Sequence, residues 1–76
     1  MERFKVHSST LSSIGYAADS EILELEFTGH KVYNYYKVPG VKYVGLMMSD
    51  SKGTFFNEQI KDKYAYKKVN RLTMQH

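Results

Sequence analysis

Hydrophobic and polar positions alternate most cleanly in I-L-E-L-E-F, Ile22 to Phe27. Leu23, Leu25 and Phe27 share one face, and Glu24 and Glu26 the other, which predicts a strand with one buried and one wet side. Thr28-Gly29 follows as a tight turn, because glycine supplies the positive φ such turns need. Lys31 to Val38 is the return strand, and its register has two solutions. A two-residue turn pairs Phe27 with His30, sets Lys31 opposite Glu26, and puts Val32, Asn34 and Tyr36 on the core face. A three-residue turn moves every side chain to the opposite face and buries Tyr33 and Tyr35 instead. Apolar area favours the second solution, since two tyrosines offer more of it than an asparagine does.

Upstream, Met1 to Val6 alternates loosely through Phe4 and Val6, as an edge strand or an arm, and His7 to Thr10 is a polar loop. Leu11 to Ala18 reads as a strand in which Ile14 and Tyr16 flank Gly15, a position for a bulge or a close backbone approach. Asp19 and Ser20 make a turn. Downstream, Pro39 opens a helix. Val41, Val44 and Met48 form one apolar stripe along it, and Tyr43, Leu46 and Met47 a neighbouring one. Two stripes predict contact with both the sheet and a second subunit. Gly45 costs roughly 1 kcal/mol of helix propensity relative to alanine, so it marks a close approach. Thr54 to Lys63 reads as a second helix with Phe56, Ile60 and Tyr64 in line and Ser51 or Thr54 as its cap. Tyr64 to Val69 alternates as a last strand, and Asn70 to His76 is a frayed end. The architecture implied is α+β: an antiparallel three- to four-stranded β-sheet with two short helices on one face. It forms one domain over residues 1–76, with its core over 8–69 and a flexible tail over 70–76.

Size changes this picture. A chain of 76 residues buries a modest core, and small folds commonly need a staple. Without cysteine there are no disulfides and no thiolate zinc site, so a homo-oligomer, dimer or tetramer, is expected. No apolar run approaches the roughly 18 residues that span a membrane. The charged N-terminus is unlike a secretory signal, and a cytoplasmic protein is expected. Net charge is +3 with a pI of 9.2. From Lys61 onward, Lys61, Lys63, Lys67, Lys68 and Arg71 are opposed only by Asp62. That basic end is either a solvated face or a phosphate-attracting one.

Among candidate chemical groups, Tyr33, Tyr35 and Tyr36 either stack nucleobases or pack into the core; alternation prevents all three from facing one way. Ser51, Lys52, Gly53 and Thr54 precede a helix, where free N–H groups, the helix dipole and a lysine favour an anion. The spacing lacks the full P-loop signature, so an ATP-hydrolysing site is not implied. Asn57 and Lys61 follow one and two turns along and are positioned to share the ligand. His7, His30 and His76 are scattered without metal-ligand spacing, so neither a metal nor a cofactor is expected. Glu24 and Glu26 read as the soluble side of a strand rather than paired acids, and an enzyme is the least supported class.

The blocks S-S-T-L-S-S-I-G-Y, F-T-G, V-Y-N-Y-Y-K-V-P, S-K-G-T-F-F-N-E-Q-I and K-Y-A-Y occur in an order that resembles the KTSC domain, from about Ser8 to Val69. That family takes its name from the C-terminus of some lysyl-tRNA synthetases, and it also has free-standing members in bacteria and phages. Its Y-x-Y corresponds to Tyr33 and Tyr35. Met48, Ser49 and Asp50 depart from the small residue and alanine often found before S-x-G, and Lys61 stands where arginine is common. The resemblance implies one of two roles. The first is a phage sponge of anti-CBASS type, which sequesters a cyclic di- or oligonucleotide immune signal without catalysis. The alternative is RNA binding, as suspected for the synthetase-linked domains. With Tyr16 from the first block, the candidate ligand-binding residues are Tyr16, Tyr33, Tyr35, Tyr36, Ser51, Lys52, Gly53, Thr54, Asn57 and Lys61.

Overall fold

The computed structural model describes residues 2–69. The proposed tail lies outside them. Five antiparallel strands form one sheet in chain order: β1 (Arg3–Lys5), β2 (Leu11–Ala17), β3 (Ile22–Phe27), β4 (Lys31–Tyr35) and β5 (Tyr66–Lys68). Helices α1 (Gly40–Met48) and α2 (Lys52–Gln59) connect β4 to β5. The sheet thus has five strands rather than three or four. Both edges are three residues long, and each lies within a run that the sequence offered as a strand: β1 in Met1 to Val6, which is an edge strand and not an arm, and β5 in Tyr64 to Val69. β1 pairs with β2 along Arg3–Lys5.

The three-residue turn is the one that forms. Phe27 pairs with Lys31, Leu25 with Tyr33 and Leu23 with Tyr35. Gly29 at φ 92° and His30 at φ 67° turn the chain, and His30 N–H donates to Phe27 O at 3.1 Å. Glycine adopts that φ freely, and histidine is among the side chains that tolerate it. Lys37, at φ 58°, ends the return strand earlier than its tyrosine run suggested.

A β-bulge between Leu11 and Ser13 explains why L-S-S-I does not alternate. It lets Leu11 and Ile14 both reach the core. Gly15 is therefore a close-approach glycine and not the bulge: a Cβ there would sit 2.6 Å from Glu2 O and 2.9 Å from Arg3 Cγ.

Leu11, Ile14, Leu23, Leu25 and Tyr35 of the sheet pack with Val38, Leu46, Phe56 and Ile60, so both helices cover the same face. Helices of eight or nine residues are held by such packing rather than by intrinsic propensity. The helices meet where Phe55 packs against Gly45, where an added Cβ would lie 2.8 Å from the ring, and where Lys42 Nζ donates to Gln59 Oε1 at 2.7 Å. Of the two α1 stripes, Tyr43, Leu46 and Met47 join the core, while Val41, Val44 and Met48 stay exposed. The second helix is shorter than its stripe; Ile60 and Tyr64 still pack inward from the turn that follows. Among the described residues no helix is long and apolar enough to cross a membrane.

The opposite face is less wet than its glutamates suggest. Glu24 is only 8% exposed. Arg3 reaches across side-chain-less Gly15 and donates from Nη1 to Glu24 Oε2 at 2.9 Å and from Nε to Ser13 Oγ at 2.9 Å. Ser13 donates in turn to Glu26 Oε1 at 2.8 Å. The Ser13 hydrogen bond outweighs partial burial and, with Arg3 and His30, holds the Glu26 carboxyl below its ordinary value.

Two tests follow. Gly15→Ala is expected to lower unfolding stability by about 1–3 kcal/mol in urea melts, because β1 backbone must move. A depressed carboxyl pKa contributes stability above its unfolded value that is lost as pH falls through the folded one. Urea melts of the wild type should therefore lose more stability below about pH 4.5 than melts of Glu26→Gln; parallel pH curves would remove this network as a source of acid sensitivity.

Candidate functional site

The sequence at the start of α2 builds a polar cavity. Its N-cap, Ser51, makes no side-chain hydrogen bond to the helix. The N–H groups of Lys52, Gly53 and Thr54 have no intrahelical partner by their position in the first turn. The His7–Thr10 loop lies beside them because Gly53 has no side chain; a Cβ there would be 2.6 Å from Thr10 Oγ1. Together they enclose about 350 Å³, with Asn57 further along the helix and Asp50 at the edge. Lys52 is partly engaged, donating from Nζ to Ser49 O at 2.8 Å, and Ser51 N–H is taken by Ser49 Oγ at 3.0 Å. The cavity is rich in hydroxyl and N–H donors and suits an anion, although the Asp50 carboxylate opposes one.

A second cavity, of about 280 Å³, lies on the sheet face between β4, β5 and the end of α2. Phe27, Tyr33, Tyr35, Phe56 and Tyr66 line it, with Lys61 and Asp62. The strand registers produce it: Tyr35 pairs with Tyr66, and Tyr33 pairs with Lys68, so all four share one face. The rings are edge-on or tilted at centroid distances of 5.2–5.8 Å. Tyr35 is 5% exposed, whereas Tyr66 is 58% exposed and offers an open ring surface. Burial first, then the fields of Tyr66, Tyr33 and Asp62, push the Tyr35 phenol up to about 12. Asn57 of the polar cavity and Phe56 of the aromatic one are chain neighbours, whose side chains project about 100° apart around the axis of α2.

The candidate residues therefore divide. Ser51, Lys52, Gly53, Thr54 and Asn57 line the polar cavity, and Tyr33, Tyr35 and Lys61 line the aromatic one. Tyr16 lines neither: its ring stacks on Tyr43 at 4.8 Å, its hydroxyl donates to Val38 O at 2.6 Å, and burial, then Glu21, raises its pKa. Tyr36 is also outside both cavities; its N–H donates to Ala65 O at 2.9 Å. Sequence reasoning missed Phe27, Phe56, Asp62 and Tyr66 in the aromatic cavity and His7–Thr10 and Asp50 in the polar one. The alternation of Y-A-Y-K-K-V hinted at Tyr66, but only its pairing with Tyr35 shows where it points. Among the described residues no group of three or more His, Cys, Asp or Glu converges to hold a metal ion.

The Tyr35 environment has a measurable consequence. A phenol whose folded pKa is raised contributes stability below its unfolded value near 10 that is lost as pH rises toward about 12. Absorbance titration should show a tyrosine ionising near 12 that Tyr35→Phe removes, with a shallower loss of stability above pH 10 in that variant.

Known proteins agree with this architecture. The KTSC domain profile matches residues 7–64. An uncharacterized protein of Stutzerimonas stutzeri is 37% identical over 92% of this chain and all of its own length. A lysine–tRNA ligase of Nostoc punctiforme is 32% identical over 87% of this chain, which spans only 12% of that ligase. The crystal structure of a KTSC domain protein from Yersinia pestis superposes with a TM-score of 0.89 at 38% identity, covering 91% of this chain and 97% of that one. Fold, profile and relatives converge, and the chain belongs to the KTSC domain family.

Proposed function

We propose that this chain is a non-catalytic module that binds single-stranded nucleic acid or a nucleotide built from it. The observation that carries the reading is the aromatic cavity. It offers the open Tyr66 ring beside Lys61, with Lys68 on the same sheet face. A base stacks on the ring with Lys61 at its edge, and Lys68 attracts the flanking phosphates. The similarity to part of a lysine–tRNA ligase supports a nucleic-acid-related role. Binding takes place in the cytoplasm, consistent with a chain free of cysteine.

A second reading takes a cyclic di- or oligonucleotide sequestered as an immune signal. The polar cavity at the uncapped α2 N-terminus favours it, as a separate place for phosphate. The two cavities share no lining residue, and a second subunit would let one compact ligand engage both kinds of surface. The exposed Val41, Val44 and Met48 stripe is an apolar surface on which such a homo-oligomer would form.

Fluorescence anisotropy with a labelled eight-nucleotide RNA is expected to show salt-dependent binding. Tyr66→Ala should weaken it about tenfold, a loss of roughly 1–3 kcal/mol per stacked base. Unchanged affinity in that variant would remove the stacking role. A thermal shift with cyclic oligonucleotides and none with linear RNA would transfer the function to the second reading. Recovery of altered nucleotide from the heated complex would replace binding by catalysis.

A further inference from the structure

We propose that the aromatic cavity selects guanine among the nucleobases, with Asp62 accepting hydrogen bonds from its edge and Lys61 donating to it. The proposal rests on the nucleic-acid reading above and adds base identity to it.

Ring packing decides the shape of the ligand. Each of the five rings has a neighbouring centroid at 5.2–5.8 Å. The rings pack on one another as edge-on or tilted pairs and so form a continuous wall. The free aromatic surface is that of Tyr66, which suits a flat ligand lying on it.

The mouth decides which flat ligand. Lys61 offers only donors there, and Asp62 only acceptors. They are held in a turn rather than a loose loop. Ile60, fully buried, anchors its start, Lys61 N–H donates to Phe56 O at 2.8 Å, and Lys63 N–H donates to Ile60 O at 3.0 Å. Asp62 itself adopts φ 64°, which reverses the chain where the helix ends. Its charge reaches the cavity floor, where it adds to burial and to the neighbouring phenols in raising the Tyr35 pKa.

Guanine presents N1–H and the 2-amino group as adjacent donors that one carboxylate can accept together, and O6 beside them as an acceptor for an ammonium group. Adenine and cytosine place a bare ring nitrogen next to their amino group, which repels a carboxylate. Uracil has a single N–H between two carbonyls. The phenols of Tyr33, Tyr35 and Tyr66 both donate and accept, so they do not discriminate.

The test uses the intact chain and five RNA pentamers: UUGUU, UUAUU, UUCUU, UUUUU and UUGUU with inosine in place of guanosine, which lacks the 2-amino group. Affinities are read by fluorescence anisotropy. UUGUU should bind about tenfold more tightly than UUAUU, UUCUU and UUUUU, the lower end for a bidentate base contact, and inosine should lose most of that gain. Asp62→Asn should reduce the guanine preference, read as the ratio of UUGUU to UUUUU affinity, to about twofold or less, while the lost negative charge raises the affinity of every pentamer alike. Asparagine tolerates the positive φ, so an unchanged melting temperature verifies the fold. Equal binding of all pentamers, or a guanine preference that survives Asp62→Asn, overturns the proposal while leaving the nucleic-acid reading intact. Failure of every pentamer to bind overturns both.

Discussion

The hydrogen bond from His30 N–H to Phe27 O closes the turn between β3 and β4, and with it the face on which each tyrosine emerges. A turn one residue shorter would put Asn34 under the helices and Tyr33 and Tyr35 on the opposite face. In the register that forms, Tyr35 lies beside Leu23 and Tyr33 beside Leu25, and β5 then brings Tyr66 alongside Tyr35. The hydrophobic core and the aromatic cavity are thus two parts of one surface. Its inner part is covered by α1 and α2, and its outer part stays open beyond Phe56.

The other face solves a different problem. Two glutamates on one strand need a counter-charge when they are partly covered. Arg3 supplies it from two strands away, and it reaches Glu24 because Gly15 leaves no side chain in its path. The same glycine lets the β1 backbone lie close, so one missing Cβ serves both the edge strand and the ion pair. Gly45 and Gly53 work similarly, one under the Phe55 ring and one beside Thr10, and the second brings the Ser8–Thr10 loop to the mouth of the polar cavity.

The contact between Phe27 and Phe56, at a centroid distance of 5.2 Å, belongs both to the wall of the aromatic cavity and to the core. Polar groups thus line one cavity and ring surface the other.

Local pattern was enough for much of the fold. I-L-E-L-E-F declares its strand, the Phe56-Ile60 spacing its buried helix side, and Gly15 and Gly45 their close approaches, because periodicity and a missing Cβ are properties of a few neighbouring residues. The edge strands β1 and β5 fall inside the runs that alternate, Met1 to Val6 and Tyr64 to Val69, but only three residues of each pair with the sheet. Long-range pairing alone decided the site. The proposed run Tyr33, Tyr35 and Tyr36 was divided by alternation and by the left-handed Lys37, Tyr16 was drawn onto Tyr43, and Tyr66 arrived from more than thirty residues along the chain. Sequence determines which side chains each strand offers; only the assembled sheet decides which of them meet, since facing positions on β4 and β5 are set by hydrogen bonds between distant segments.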